Sequence, residues 1–336
     1  MKAILMTAPG GPDVLQYTDI PVPSLSGAHD MLVRLKAAGV NPVDTKLRSK
    51  GTYYPEHMPA ILGCDGAGII EAVGPAVSRF KPGDAVYFCN GGIGGHTGNY
   101  AEYAVVDEAW AAAMPAVLSF AEAAAAPLVL ITAWEALHDR ARMQAGQTVL
   151  VHAGAGGVGH VAIQLACAAG CQVITTVSSG IKAQFVRELA AVSAIDYRSE
   201  DLAEAVRAWS GSDGVDIAFD TVGGAVFEQS FAAVRPYGDL VTLLQPDAGV
   251  NWKLARMRNL RISLELMLSP MYYGWDAAQA HQADILRQCA ALFDAGKLRI
   301  HLSHVLPLSQ AAEAHRLLEQ GGTQGKIVLT MDDSLR

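Results

Sequence analysis

Three glycines in the run "TVLVHAGAGGVGHVAIQLACAAG", Gly154, Gly156 and Gly159, stand at G-x-G-x-x-G spacing. At that spacing the glycines allow a tight turn, close approach to a pyrophosphate, and close packing of a helix on a strand. The helix that follows offers unpaired N–H groups and a partial positive charge to phosphates. The spacing alone says little, because glycine-rich turns also occur in α/β folds that hold no nucleotide. Its flanks add to it. "TVLVHA" reads as a buried strand, Val158, Val161, Ala162, Leu165, Ala166 and Ala169 follow helical spacing, and Gly170 is placed to stop the helix. The chemistry this predicts is dinucleotide binding on Gly154, Ala155, Gly156, Gly157, Val158 and Gly159.

A site for NAD usually places Asp or Glu about 20 residues further on, against the ribose 2′-hydroxyl. No carboxylate occurs from Cys171 to Arg187, and Ser178, Ser179 and Lys182 stand there instead. Two hydroxyls and an ammonium suit a 2′-phosphate, which a carboxylate would repel. NADPH is therefore the predicted cofactor. Lys182 also has an ordinary reading as a solvated helix residue, but the missing carboxylate does not depend on it.

The cysteines Cys64, Cys89, Cys167, Cys171 and Cys289 are the candidates for metal chemistry. Structural zinc needs four N or S ligands, and catalytic zinc about three plus water. The stretch "YFCNGGIGGHTGNYAEY" offers only Cys89 and His96. Cys64 beside Asp65, and Cys167 four residues before Cys171, read as small buried thiols. No metal site is expected.

The positioning elements fall into two patterns. Up to about Ser119 the chain shows short β-like runs, "MLVRLKAAGV", "AGIIEAVG" and "DAVYF", bounded by Gly, Pro and Asp. "SFAE", from Ser119 to Glu122, fits a capping box that opens an Ala-rich helix. From Thr148, strands "TVLVHA", "QVITTVS", "SAIDY", "VDIAFDTV", "DLVTLL" and "LRISLELM" alternate with helices, which predicts a doubly wound parallel sheet. "DILRQCAALFDAGKL" reads as a helix with Ile285, Cys289, Leu292 and Phe293 on one face. "SQAAEAHRLLEQGG" reads as another, with Ser309 as N-cap and Gly321 or Gly322 as stop, and "GKIVLTM" as a closing strand. The 336 residues, 51% hydrophobic and 17% charged, support about two globular domains. A net charge of −8 counts against nucleic-acid binding. No run reaches the length of a membrane span, and "MKAILMTAPGGPD" lacks a signal-peptide core, so a cytoplasmic protein is expected.

"GQTVLVHAGAGGVGHVAIQLA" resembles the signature of zinc-independent quinone oxidoreductases of the zeta-crystallin type, within the medium-chain dehydrogenase/reductase superfamily. Cys167 departs from the pattern, which usually has Lys, Arg or Ser there. "AAGVNPVDTKLRSKGTYY", "ILGCDGAGIIEAVG", "LITAWEAL" and "GKIVLTM" extend the resemblance over nearly the whole chain. It implies a Rossmann domain (123–270) inserted into a mostly β, GroES-like catalytic domain (1–122 with 271–336), a site in the cleft, and a homodimer joined through "NLRISLELM". Where zinc alcohol dehydrogenases carry ligands, this chain has Asn41 and Gly63-Cys64-Asp65.

The resemblance also implies site roles. Asn41 is expected to donate to a substrate oxygen or the nicotinamide ribose. Tyr53, with Tyr54 as the alternative register, is expected near the nicotinamide as donor, and Thr132 as a nicotinamide contact. Tyr197 is expected beside the adenosine phosphate, with Lys326 also reaching the cofactor. Asn41 has an ordinary reading as a cap before Pro42. Asp44 is expected to pair with Lys46 or Arg48, and Tyr272, Tyr273 and Trp275 either wall the substrate cleft or pack on one another. Without a metal, hydride transfer to a quinone or α,β-unsaturated carbonyl is the expected reaction. A zinc-dependent alcohol dehydrogenase with unusual ligands, or a non-catalytic NADPH-binding protein, are the other readings.

Overall fold

The computed structural model describes residues 1–191 and 193–331. The chain divides into two units, Met1–Leu128 with the chain from Leu268 onward, and Val129–Met267. Residues 332–336, which the sequence assigns to the first domain, lie outside the described residues.

The first unit opens with β1 (Lys2–Met6) and β2 (Leu15–Asp19), an antiparallel pair. Then come β3 (Asp30–Val40), α1 (Pro42–Lys50), β4 (Asp65–Val73), β5 (Ala85–Cys89), β6 (Tyr103–Asp107) and β7 (Ala111–Ala113). Alternating apolar residues of β3 turn Met31, Val33 and Leu35 into a core with Ile70, Val86, Phe88 and Val106. The capping box forms as expected. Ser119 Oγ accepts from the Glu122 N–H at 3.3 Å, the Ser119 N–H donates to Glu122 Oε2 at 2.9 Å, and α2 (Phe120–Ala125) follows. After it comes α3 (Pro127–Trp134).

In the second unit all six expected strands form: β8 (Thr148–Val151), β9 (Gln172–Val177), β10 (Ser193–Asp196), β11 (Val215–Asp220), β12 (Val234–Thr242) and β13 (Arg261–Leu264). Between them run α4 (Gly157–Ala168), α5 (Gly180–Glu188), α6 (Leu202–Ser210), α7 (Ala225–Ala233) and α8 (Lys253–Met257). The sheet is parallel, in the order β10-β9-β8-β11-β12-β13, the doubly wound Rossmann arrangement. Of "NLRISLELM" only Arg261–Leu264 is a strand, at one edge of the sheet.

The chain then returns to the first unit with α9 (Ser269–Tyr273), α10 (Asp276–Asp294), β14 (Leu302–Pro307), α11 (Ala311–Gln320) and β15 (Lys326–Thr330). Helix α10 starts about two turns earlier than "DILRQCAALFDAGKL" suggested, and buries Ile285, Cys289 and Phe293. Ser309 is not the N-cap of α11. It sits in a 3-10 turn, Leu308–Gln310, which tightens the helix entry, while Gly321 ends the helix as expected. In the sheet, β15 lies between β14 and β3, and β3 lies beside β4. Among the described residues no helix is long and apolar enough to cross a membrane.

Candidate cofactor site and polar centre

The glycine loop joins β8 to α4, with Gly156 as N-cap of the helix. A Cβ at Gly154 would lie 2.1 Å from Thr175 Oγ1, and one at Gly159 would lie 2.3 Å from the Ala153 carbonyl. These two glycines let helix and strand close on each other. A Cβ at Gly156 would meet only the Ala153 carbonyl, at 3.2 Å, so this side of the turn stays open for a phosphate. Ala153 holds φ +50°, an unusual left-handed alanine, and its N–H donates to Thr176 Oγ1 at 2.9 Å. Strain of that kind gathers at functional turns.

Ser178 and Ser179 follow directly on β9. Ser179 is the N-cap of α5 and accepts from the Lys182 N–H at 3.3 Å, which leaves its O–H to donate elsewhere. Both serines and Lys182 are half-buried. A cavity of about 660 Å³ opens nearby, lined by His152, Ala153, Thr176, Tyr197, Val222 and Val226 among others. Its size and mixed lining suit an adenosine. Tyr197 is 59% exposed there. Two carboxylates also line it: Glu200 accepts from the Asp196 N–H at 2.7 Å, and Asp201 caps α6 through the Glu204 N–H at 2.9 Å. His152 gave no signal in the sequence. Ser230 Oγ donates to the Val226 carbonyl at 2.7 Å, so it receives the His152 Nε2–H at 3.0 Å. Burial pushes His152 down to about 4, which keeps the ring neutral. The open glycine turn, the α4 N-terminus and the donors after β9 fit a dinucleotide.

The first unit carries a buried polar centre. Asn41, at the end of β3, is the N-cap of α1, and its N–H donates to Asp44 Oδ2 at 2.8 Å. Asn41 Nδ2 donates to Asp65 Oδ2 at 2.8 Å, and its Oδ1 accepts from Lys326 Nζ. The Lys326 ammonium also donates to the Val40 carbonyl at 3.2 Å and lies 3.9 Å from Asp65. The Leu128 N–H completes the shell of Asp65 at 2.8 Å. Burial raises Asp65 and lowers Lys326, while each charge opposes the shift of the other.

Asn41 is fully buried, and its amide bridges Asp65 and Lys326. Lys326 is 3% exposed and held by internal acceptors, because a buried ammonium must be neutralised. Asp44 pairs with neither Lys46 nor Arg48. It accepts from Tyr100 Oη at 2.9 Å, and Arg48 instead grips Glu319 at 2.6 and 3.2 Å. Burial lifts Asp44 to about 7, against the hydrogen bonds from Asn41 and Tyr100.

Zinc does not fit the positions of Asn41, Cys64 and Asp65. An amide stands where a thiolate is needed, and an ammonium already faces the carboxylate. The Cys89 thiol is pushed well above its usual range, first by its hydrogen bond with Cys64 and then by burial. Among the described residues no three His, Cys, Asp or Glu side chains are grouped to hold a metal ion.

Tyr53 and Tyr54 follow α1, and they differ. Tyr54 Oη donates to the Tyr272 carbonyl at 2.7 Å, so its proton is committed. Tyr53 is 43% exposed, and burial of the rest raises it from the usual phenol value. Of the two, Tyr53 is the more exposed, and its phenol is protonated at neutral pH. Thr132 is buried on α3.

Residues 27–116 match the alcohol dehydrogenase GroES-like domain, and residues 189–329 match the zinc-binding dehydrogenase family. The chain is 36% identical to quinone oxidoreductase of Pseudomonas aeruginosa over 331 residues, 98% of this chain and 99% of that protein. Among solved structures it is similar to an alcohol dehydrogenase superfamily protein from Novosphingobium aromaticivorans (34% identity, TM-score 0.91, 99% and 100% of the two chains). It is also similar to Escherichia coli quinone oxidoreductase complexed with NADPH (30% identity, TM-score 0.86, 98% and 100%).

Proposed function

Because this chain belongs to the quinone oxidoreductase family of the medium-chain dehydrogenase/reductase superfamily and is an NAD(P)-dependent oxidoreductase, we propose that it uses NADPH to reduce quinones or α,β-unsaturated carbonyl compounds without zinc. The observation that carries the cofactor choice is the tip of β9, where Ser178, Ser179 and Lys182 stand in place of a carboxylate. Their hydroxyls and ammonium hold a 2′-phosphate through charge-assisted hydrogen bonds, and the open side of Gly156 receives the pyrophosphate. Tyr197 flanks the adenosine, and Thr132 contacts the nicotinamide. The bound nicotinamide supplies the hydride.

Tyr53 stabilises charge arriving on the substrate oxygen by hydrogen bonding, and gives up its phenolic proton, which solvent replaces. Hydride plus proton turn a quinone into a quinol, or an enone into a saturated carbonyl. Asn41 acts behind this centre by holding Lys326 against Asp65. We further propose a cytoplasmic homodimer joined along the edge strand β13, whose last residue Leu264 is 61% exposed and is followed by Leu266 at 55%.

Steady-state assays with NADPH and NADH against quinones and enones test the reading. A strong preference for NADPH with turnover of either substrate class supports it. Equal use of both cofactors overturns the phosphate argument, and Glu200 and Asp201 then become the candidate ribose partners. Inactivity on the whole panel overturns the substrate class.

A further inference from the structure

Resting on the reading that the glycine turn holds the coenzyme, we infer that His152 is a positioning residue. Through a one-way chain of hydrogen bonds it keeps this turn in its receiving shape, and so raises the affinity for NADPH and NADH alike. The hub of the turn is Ala153. It holds φ +50°, a left-handed conformation that alanine avoids and that persists only where the surroundings enforce it. Its carbonyl accepts the Gly156 N–H at 2.9 Å, and it is the atom that a Cβ at Gly156 or at Gly159 would meet first. If Ala153 relaxed to an ordinary conformation, that carbonyl would swing, and the N–H groups at the start of α4 would lose their aim at a phosphate.

The grip on Ala153 passes through the His152 ring. The Ala153 N–H donates to Thr176 Oγ1 at 2.9 Å, and Thr176 Oγ1 lies 3.4 Å from His152 Nδ1. On the far side of the ring, Nε2 is 3.0 Å from Ser230 Oγ, whose own proton goes to the Val226 carbonyl at 2.7 Å. The backbone N–H at one end can only donate, and the carbonyl at the other can only accept. With a neutral ring, one arrangement serves every member: Thr176 O–H donates to Nδ1, and Nε2–H donates to Ser230. The opposite tautomer would set a second N–H against Thr176 Oγ1 and turn the Thr176 proton out of the chain. His152, Thr176 and Ser230 are all buried, so bulk water does not replace a lost partner. The chain also joins separate elements. His152 follows β8, Thr176 lies in β9, and Val226 and Ser230 lie in α7. Thr221, just after β11, donates its hydroxyl to the His152 carbonyl at 2.8 Å. His152, Ala153, Thr176 and Val226 line the cavity that suits an adenosine, so the chain spaces the glycine turn from α7 along one wall of it. Its members do not include Ser178, Ser179 or Lys182, so it acts on what the two coenzymes share.

The test is calorimetry of NADPH and NADH binding to the intact protein and to His152→Leu, His152→Gln, His152→Asn, Thr176→Val and Thr176→Ser, with hydrogen exchange of the Ala153 amide alongside. The amide oxygen of Asn stands where Nδ1 was, whereas the amide of Gln stands where Nε2 was. The Kd for both coenzymes is expected to rise about three- to tenfold in His152→Leu, His152→Gln and Thr176→Val, as loss of one buried hydrogen bond and of preorganisation implies. The ratio of the two Kd values should stay as it is in the intact protein. His152→Asn and Thr176→Ser should restore most of the affinity, and exchange at Ala153 should quicken in the first three variants only. A side chain that only filled space would not separate Asn from Gln. If His152→Leu fails to fold, the Thr176 pair makes the same comparison. Unchanged affinity throughout overturns the role of His152. So does a loss confined to NADPH, because the effect then arises at the 2′-phosphate, and so do affinities that merely follow the urea midpoint with Asn no better than Leu. An intact protein that binds neither coenzyme overturns the coenzyme reading itself, and exchange at Ala153 that still separates the variants then leaves the chain as a support of the turn alone.

Discussion

The charge pair between Asp65 and Lys326 makes the most demanding claim about the polar centre, and a double-mutant cycle measures it. The ammonium and the carboxylate are 3.9 Å apart, and both residues are at most 3% exposed. At that separation and an effective dielectric constant of ~20, the Coulomb attraction is about 4 kcal/mol. Asp65→Asn leaves the ammonium its acceptors Val40 and Asn41 but removes its nearest counter-charge, and it turns an amide N–H₂ towards either Asn41 Nδ2 or the Leu128 N–H. A loss of about 3–4 kcal/mol in unfolding free energy is expected, because a buried charge stripped of its partner is more costly than the pair was favourable. Lys326→Met should lose about as much, since Asp65 keeps the Leu128 and Asn41 N–H groups and the Cys89 thiol but no cation. The double variant removes both charges and should be more stable than the sum of the single losses implies, with a coupling of about 2–3 kcal/mol. Urea unfolding followed by circular dichroism reads these differences, and melting should drop by about 6–12 °C in each single variant. Losses that add within ~0.5 kcal/mol would refute the reasoning, because the two groups would then face each other uncharged.

Gly159→Ala is expected to lower stability by about 1–3 kcal/mol, because the new methyl would lie 2.3 Å from the Ala153 carbonyl; thermal melting checks this. Lys182→Glu should weaken NADPH at least about tenfold by calorimetry while leaving NADH binding nearly unchanged, since it sets a carboxylate beside the proposed 2′-phosphate. His315 is held at about 3, by burial first and by the charge of Arg48 second, while in the unfolded chain it titrates near 6.5. Below pH 6.5 the unfolded chain takes up a proton that the folded chain refuses, so this group's contribution to stability is lost as pH falls towards 3. In His315→Gln the acid decline in unfolding free energy, measured by urea titration, should be shallower by about 1.4 kcal/mol per pH unit between pH 6 and 4.

What could be read in the sequence was local. The glycine loop, the empty carboxylate position and the Ser119 capping box each span a few residues, and a short window holds their whole physical cause. The six strands of the second unit were also legible, because a sheet covered on both faces writes itself as continuous apolar runs. The polar centre was not legible as a unit. Asn41, Asp65 and Lys326 stand 24 and 285 positions from one another in two hydrogen bonds, and no spacing rule links them. Strand order brings them together. Ile327 pairs with Val40 and Gly39 pairs with Asp65 across β15, β3 and β4, so three strand ends place an amide, an acid and an amine at one point. The same cause hid the partners of Asn41. Its identity as an amide was visible, but the internal partners that use both ends of that amide come from strands whose adjacency only folding decides. The aromatic run after Met267 stood between two readings for a related reason: a loop's composition says that rings are present, and only α9, fixed to Tyr54, decides that Tyr272 meets Tyr53 edge-on and that Tyr273 stacks on Trp275. Chemistry held by one turn of backbone is therefore readable in advance, and chemistry assembled across a sheet is readable only once strand order is known.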